Sequence, residues 1–210
     1  MNMSNHKKRT YHSEARKTQA TQTKGRILAA AKSLFSSKGF EGVTIEQMAQ
    51  AADVSPPTIY ALFQSKLGVL RALMEEAFPV NQFEALVTEA MQEKLPKKHL
   101  ALSAKIARRM YDAERAQMDI FPSASILSPE FKELEKEREL RRYTRQEESI
   151  KMIEKALLKE LSLSKAHDIL WAFTGRNMYR LFVIERGWTS EEYEKWLAQS
   201  LVKMLIRIEE

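Results

Sequence analysis

The chain has 210 residues, 44% of them hydrophobic and 30% charged, with no cysteine and a formal net charge of +6. That is enough chain for one large or two small folded units of ordinary globular composition. The missing thiol excludes disulfides, thiolate zinc sites, iron–sulfur clusters and a cysteine nucleophile. Residues 1–66 hold ten Lys/Arg against four Asp/Glu and carry the whole charge excess, whereas residues 67–210 balance. A positive segment on a neutral body points to a polyanionic partner, nucleic acid or anionic membrane, met by that segment alone.

Taken in order, the elements predicted are all helical. Met1–Thr18 reads as a flexible basic arm carrying Lys7, Lys8, Arg9, Arg16 and Lys17, with no signal-peptide core. From about Gln19 to Lys38, Ile27, Leu28, Ala31, Leu34 and Phe35 recur at helical spacing, and Gly39 supplies a left-handed terminator. Thr44 and Gln47 form a capping box for a second helix running to about Ala52. After a turn at Asp53–Val54, Ser55 serves as N-cap and Pro56 and Pro57 open a short third helix to about Phe63. Ser65 caps a fourth helix from Lys66, with Leu67, Leu70, Met74 and Ala77 on one face.

Longer helices follow at roughly Lys97–Tyr111 and over the charged stretch Ser128–Glu160, with a break at Phe121–Pro122–Ser123 between them. Ser164–Arg186 is apolar nearly all round and is expected as one central or interfacial helix ended by Gly187. Thr189 and Glu192 cap a last helix with Tyr193, Trp196, Leu197, Leu201, Met204, Leu205 and Ile208 in a stripe. The longest apolar runs, such as Ile169–Phe173, fall far short of the roughly 20 residues of a membrane span. A cytoplasmic, nucleoid-associated protein is expected, and no membrane partner.

Two short helices joined at Ala52–Val54 within a basic segment have the layout of a helix-turn-helix, whose second helix enters the major groove while the first braces it. Positions 45, 48, 49, 54, 59 and 63, which must be apolar to lock the pair, are Ile, Met, Ala, Val, Ile and Phe. The run from Thr44-Ile45-Glu46-Gln47-Met48-Ala49 through Val54-Ser55-Pro56-Pro57-Thr58-Ile59-Tyr60-Ala61-Leu62-Phe63-Gln64-Ser65-Lys66 resembles the DNA-binding signature of the tetracycline-repressor (TetR) family of bacterial regulators. The first-helix segment Ile27–Phe40 is similar as well, and Leu170–Leu197 resembles the family's ending more loosely. Two positions depart from the pattern: Asp53 stands where the turn usually has Gly, and Leu62 where relatives often carry His or Tyr.

The resemblance implies an all-α fold: a basic arm (1–18), a three-helix DNA-binding domain (19–65) and a helical effector-binding and dimerisation domain (66–210). It implies that Thr44 meets a phosphate, that Ser55, Pro56, Pro57, Thr58, Ala61 and Leu62 face the groove, and that Tyr60 and Lys66 grip the backbone. Pro56, Pro57, Ala61 and Leu62 offer bases only apolar contact. Pairing of the last two helices as a four-helix bundle would use Tyr179, Val183, Trp196, Leu197, Leu201, Met204 and Ile208 and give a homodimer on a palindromic operator. A small apolar or aromatic effector would lie against Trp171, Gly175, Met178 and Phe182, on one face of the central helix, with Met110, Met118, Phe121 and Met152 closing around it.

Enzymatic readings find no support. There is no Gly-rich phosphate loop, no H-E-x-x-H and no G-x-S-x-G, and the four histidines include only a His167–Asp168 pair suited to capping or surface. No catalytic residue, metal or cofactor is expected. The function expected is a ligand-responsive repressor of double-stranded DNA, the rival a helical adaptor whose basic arm binds anionic membrane or protein.

Overall fold

The computed structural model describes residues 4–76, 80–115, 118 and 128–207, with side chains in 18–76, 83–115, 118, 128–129 and 131–207. The side chains of the basic arm, Ala77, the break at Phe121–Pro122–Ser123 and Ile208 lie outside those residues. Among the described residues every extended element is a helix; the only backbone pairing of strand type is an isolated bridge between Leu157 and Ile206. Two compact units emerge, Met1–Glu76 and a second formed by Ala77–Met118 with Ser128–Glu210.

In the first unit, α1 (Ser4–Lys38) is longer than its apolar pattern foretells. The arm expected at 1–18 is helical from Ser4: neither Gly nor Pro interrupts the stretch before Gly25, and Lys7, Lys8, Arg9, Glu14, Ala15, Arg16 and Lys17 are good helix formers. Among the described side chains of α1, burial begins where the stripe does: Ile27, Leu28, Ala31 and Phe35 are buried. Gly39 then ends the helix at φ 71°, its N–H donating to the Phe35 carbonyl at 2.9 Å. Phe40 folds back on Phe35, ring centroids 5.4 Å apart.

Helix α2 (Ile45–Ala52) starts at the expected box: Thr44 Oγ1 accepts from the Gln47 N–H at 3.3 Å, and Gln47 Oε1 accepts from the Thr44 N–H at 3.1 Å. Helices α3 (Pro56–Phe63) and α4 (Lys66–Glu76) meet at a tight corner. Gln64 sits at φ 67°, and a Cβ on Gly68 would lie 1.8 Å from the Phe63 carbonyl oxygen, so the corner requires glycine there. Ser65 Oγ accepts from the Gly68 N–H at 3.0 Å, the cap expected for α4. Helix α4 packs on α1 and belongs to this first unit, rather than opening the carboxy-terminal body.

The second unit begins with α5 (Val80–Gln92), a helix the sequence reading passes over, then α6 (Pro96–Glu114). Helix α7 (Pro129–Met152) starts on Ser128, whose Oγ accepts from the Phe131 N–H at 3.2 Å. It stops short of the expected Glu160: a 3-10 turn at Glu154–Ala156 leads to Leu157, which turns extended to pair with Ile206.

The expected continuous helix 164–186 is broken. Helix α8 (Leu163–Phe173) ends at Thr174, Gly175 takes an extended conformation as cap, α9 (Arg176–Tyr179) restarts, and Arg180–Glu185 winds as a π-helical turn. The cause is a side chain from α7. Arg142 Nη1 donates to the Trp171 carbonyl at 2.9 Å, the acceptor an unbroken helix would offer Gly175, whose N–H goes to Ala172 instead. Thr174 adds to the break by donating its hydroxyl to the Leu170 carbonyl at 2.6 Å.

Helix α10 (Ser190–Leu205) closes the unit on the expected Thr189–Glu192 capping box. Its stripe of Tyr193, Leu197, Leu201 and Leu205 is fully buried and packs chiefly on α6, where Ala104 and Ala107 let the two axes approach.

Candidate nucleic-acid interface

Asp53 makes the turn between α2 and α3 at φ 52°, ψ 55°, a left-handed conformation that Asp tolerates better than most residues. The Val54 N–H donates to the Ala49 carbonyl at 3.0 Å, closing the end of α2. Ile45, Met48, Ala49, Ile59 and Phe63 are buried as the lock between the helices requires, with Val54 half-buried. The inner face of α3 is thereby spent on the core. Its outer face stays open: Ser55, Pro57, Tyr60, Ala61 and Leu62 are exposed, and Pro56 and Thr58 half-buried.

The head of α3 departs from expectation. Ser55 holds the cap position but makes no side-chain cap bond. Pro56 and Pro57 have no N–H, and the Thr58 N–H already donates to the Ser55 carbonyl at 3.0 Å. The Ser55 hydroxyl therefore pairs with the Thr58 hydroxyl at 2.9 Å.

Thr44 is exposed at the head of α2. Beside it the Glu46 carboxyl is held below the usual carboxylate range by a backbone N–H and by the Thr44 hydroxyl. Lys66 differs from the free point charge expected. Its Nζ donates to the Phe40 carbonyl at 2.9 Å and sits 4.4 Å from the centre of the Phe40 ring. It ties α4 to the loop after α1, a role that its sequence position alone did not disclose.

The sequence model of the family described as bacterial regulatory proteins, tetR family, matches residues 27–73. Those residues run from the buried part of α1 into α4 and contain the whole two-helix lock. This segment is a tetR-family DNA-binding domain.

Beyond that TetR-type domain, the chain is 37% identical to the HTH-type transcriptional repressor BdcR of Escherichia coli K12 over 49 residues, which are 23% of this chain and 25% of that protein. The match thus spans about a quarter of that relative's length. It is 27% identical to the HTH-type transcriptional regulator UidR of the same strain, over 47% of this chain and 69% of UidR. Among solved structures, NalD, the secondary repressor of the MexAB-OprM multidrug efflux pump in Pseudomonas aeruginosa, superposes with a TM-score of 0.70 at 20% identity, covering 90% of this chain and 98% of NalD. The TetR-family regulator PfmR of Thermus thermophilus gives 0.67 at 21% identity, covering 87% and 100%. The TetR-like all-α fold therefore extends through the second unit, and these relatives are transcriptional regulators rather than enzymes.

The second unit of this TetR-like fold rearranges the expected effector residues. Trp171 precedes the break after α8 and Met178 and Phe182 follow it, so they do not share one helical face with Gly175. Met118 is buried and Met110 half-buried, but Met152 is 41% exposed at the end of α7 and lines no interior; Phe121 lies outside the described residues. Phe182 packs instead with Trp188 and Trp196, at 4.6 Å and 4.3 Å between ring centres.

The expected dimer seam is corrected too. Tyr179, Val183, Leu197 and Leu201 are buried within their own chain, Leu197 and Leu201 because the α10 stripe faces α6. Trp196 and Met204 are half-buried. Leu181, at 44% exposed, is the large apolar side chain this region leaves to solvent.

What the sequence reading missed is polar. Glu114, fully buried, accepts from Arg138 and, at 3.2 Å, from Arg176, which also pairs with Glu135 at 2.7 Å. Burial lowers the Arg138 pKa to about 10. Asp112 resists the upward push of burial because Ser190, Tyr179 and Arg108 all donate to it, holding its carboxyl below the usual range. Burial, and then its bond to Asp112, push the Tyr179 phenol up to about 12. Tyr111 Oη, Gln146 Oε1 and Trp171 Nε1 are buried and find no hydrogen-bond partner among the described residues.

The two histidines with described side chains serve as struts. His99 Nδ1 meets the Ala90 carbonyl at 2.8 Å and Nε2 the Ser149 hydroxyl at 2.6 Å. His167 stacks on Tyr143 at 3.9 Å, and Asp168 accepts from the Tyr143 hydroxyl at 2.9 Å. Among the described residues no group of three His, Asp or Glu is placed to hold a metal, and no helix is long and apolar enough to cross a membrane.

Proposed function

We propose that this chain is a sequence-specific transcriptional repressor that binds a palindromic operator as a homodimer and is released by a small molecule held in its second unit. The observation that carries the reading is the α2–Asp53–α3 arrangement, in which the inner faces lock apolar side chains while Ser55, Pro57, Tyr60, Ala61 and Leu62 stay open on a positively charged unit. Thr44 and Tyr60 supply hydroxyls for phosphates on either side, the positions that orient a reading helix without specifying sequence. Such a protein works where the chromosome is, in the bacterial cytoplasm.

Support for pairing comes from exposed Leu181 beside the Phe182–Trp188–Trp196 aromatic cluster, a surface that a second copy would cover. Two-fold symmetry then dictates two half-sites about 34–36 Å apart, or a multiple of that spacing. Support for an effector comes from the three unpartnered atoms of Tyr111, Gln146 and Trp171, since a buried polar group left unsatisfied costs about 1–3 kcal/mol. Arg142 lies 5.3 Å from the Trp171 ring, and both Arg142 and Gln146 donate to Thr174. An aromatic molecule bearing a donor–acceptor group suits these residues better than a purely apolar one.

Selection of bound fragments from a random duplex pool tests the reading. The expected result is enrichment of one inverted repeat, with affinity falling steeply as salt rises. Tyr60→Phe should weaken binding without altering the fold. Equal affinity for every duplex, or for anionic vesicles and duplexes alike, would overturn it in favour of an adaptor.

A further inference from the structure

Helix α3 presents an outer face almost without hydrogen-bonding groups. Between Ser55 and Phe63 there is no Arg, Lys, Asn, Gln, Asp, Glu or His, the side chains that pair with guanine, adenine or cytosine edges in the major groove. The two hydroxyls at its head are turned on each other, Ser55 Oγ to Thr58 Oγ1 at 2.9 Å. The first three helical residues add no free backbone donor, since Pro56 and Pro57 have no N–H and that of Thr58 donates to the Ser55 carbonyl. What faces outward is carbon: the Pro57 ring, the Ala61 methyl and the Leu62 side chain, the last 40% exposed. Tyr60, half exposed, carries the one hydroxyl of this face not engaged at the helix head.

The major groove offers an apolar side chain one matching group, the C5-methyl of thymine. We propose that α3 reads its operator through thymine methyls, with Pro57, Ala61 and Leu62 as the specificity-determining residues, so that the base pairs beneath α3 are A·T steps presenting those methyls. The proposal rests on the DNA-binding reading above and adds the chemical class of sequence recognised. It also gives the Ser55–Thr58 pair a purpose: one hydroxyl donates to the other, so one donor rather than two has to find a new partner when water is driven from the interface.

The test uses the full chain and the duplex recovered from the random pool. Thymines under α3 are replaced singly by deoxyuridine, which deletes the methyl and leaves every base-edge donor and acceptor in place. Each contacted methyl should be worth about fourfold in affinity, the equivalent of one buried CH₂ group. The same uridine substitutions against Leu62→Ala and Ala61→Gly should show the penalty shrinking at the position each residue covers. Both residues are exposed, and circular dichroism confirms folding of the variants. Uridine duplexes bound as tightly as thymine ones would overturn the proposal while leaving sequence-selective binding intact. A uridine penalty undiminished in both variants would overturn it too, assigning the methyls an effect on duplex shape. A pool that enriches no sequence would overturn this proposal and the DNA-binding reading together.

Discussion

The two units are stabilised in different ways. Residues 18–76 enclose an almost wholly apolar core, from Ile27 and Phe35 through Met48, Ile59 and Leu70, and every buried side chain described there is hydrophobic. Its polar interactions sit at helix ends and on the surface. The second unit buries His99, Glu114, His167 and Thr174, ties α6 to α7 and α9 through Glu114, and leaves three interior polar atoms unmatched. A dry core with local caps has one good packing and suits a reading head that must present the same face every time. A core of charges and mismatched donors has near-alternatives that a bound molecule could choose between, which is what the effector response proposed above would need.

That contrast can be broken most decisively at Glu114. Glu114→Ala leaves Arg138 and Arg176 without their shared carboxylate in the interior and should lower stability by roughly 3–5 kcal/mol. Denaturant titration measures it, and a loss below about 1 kcal/mol would mean the network is ornamental. In the first unit the largest effect should come from geometry rather than charge. Gly68→Ala drives a Cβ into the Phe63 carbonyl and should cost about 1–3 kcal/mol or more, with operator affinity lost as the α3–α4 corner shifts.

A pH scan sharpens the comparison further. Burial depresses the His99 pKa below the ordinary 6.5 despite its bonds to Ala90 and Ser149. The unfolded chain therefore binds a proton there before the folded one does. The resulting stabilisation is intact above pH 6.5 and is lost as pH falls through the depressed value. Thermal unfolding below pH 6.5 should show the decline in the natural protein, and His99→Gln should flatten that part of the curve. The smallest effect is a gain. Asp53→Gly relieves a left-handed non-glycine residue and should raise stability by about 1 kcal/mol, because the exposed Asp53–Arg26 pair at 3.7 Å forfeits little.

Helix ends written in neighbouring residues were legible in the sequence. The Thr44–Gln47 and Thr189–Glu192 boxes, Gly39, Asp53 and the Ser65 cap all stand where the residues demand. Ser55 misled because two prolines removed the donors its hydroxyl would have capped, a competition visible only once the Thr58 rotamer is known. The break at Thr174–Gly175 was not legible at all. It depends on Arg142, which reaches across from another helix to claim a backbone carbonyl. Likewise, periodicity found the α10 stripe but could not say which neighbour it faces. Leu197 and Leu201 turned out to serve their own chain.

The paired prolines at the head of α3 carry one further, practical consequence. Amide-proton spectroscopy and deuterium exchange both report through N–H groups, and Pro56 and Pro57 have none. The leading edge of the helix is thus silent to both techniques when they are used to map a DNA contact from the protein side. Isotope-labelled methyls on Ala61 and Leu62 would restore the view.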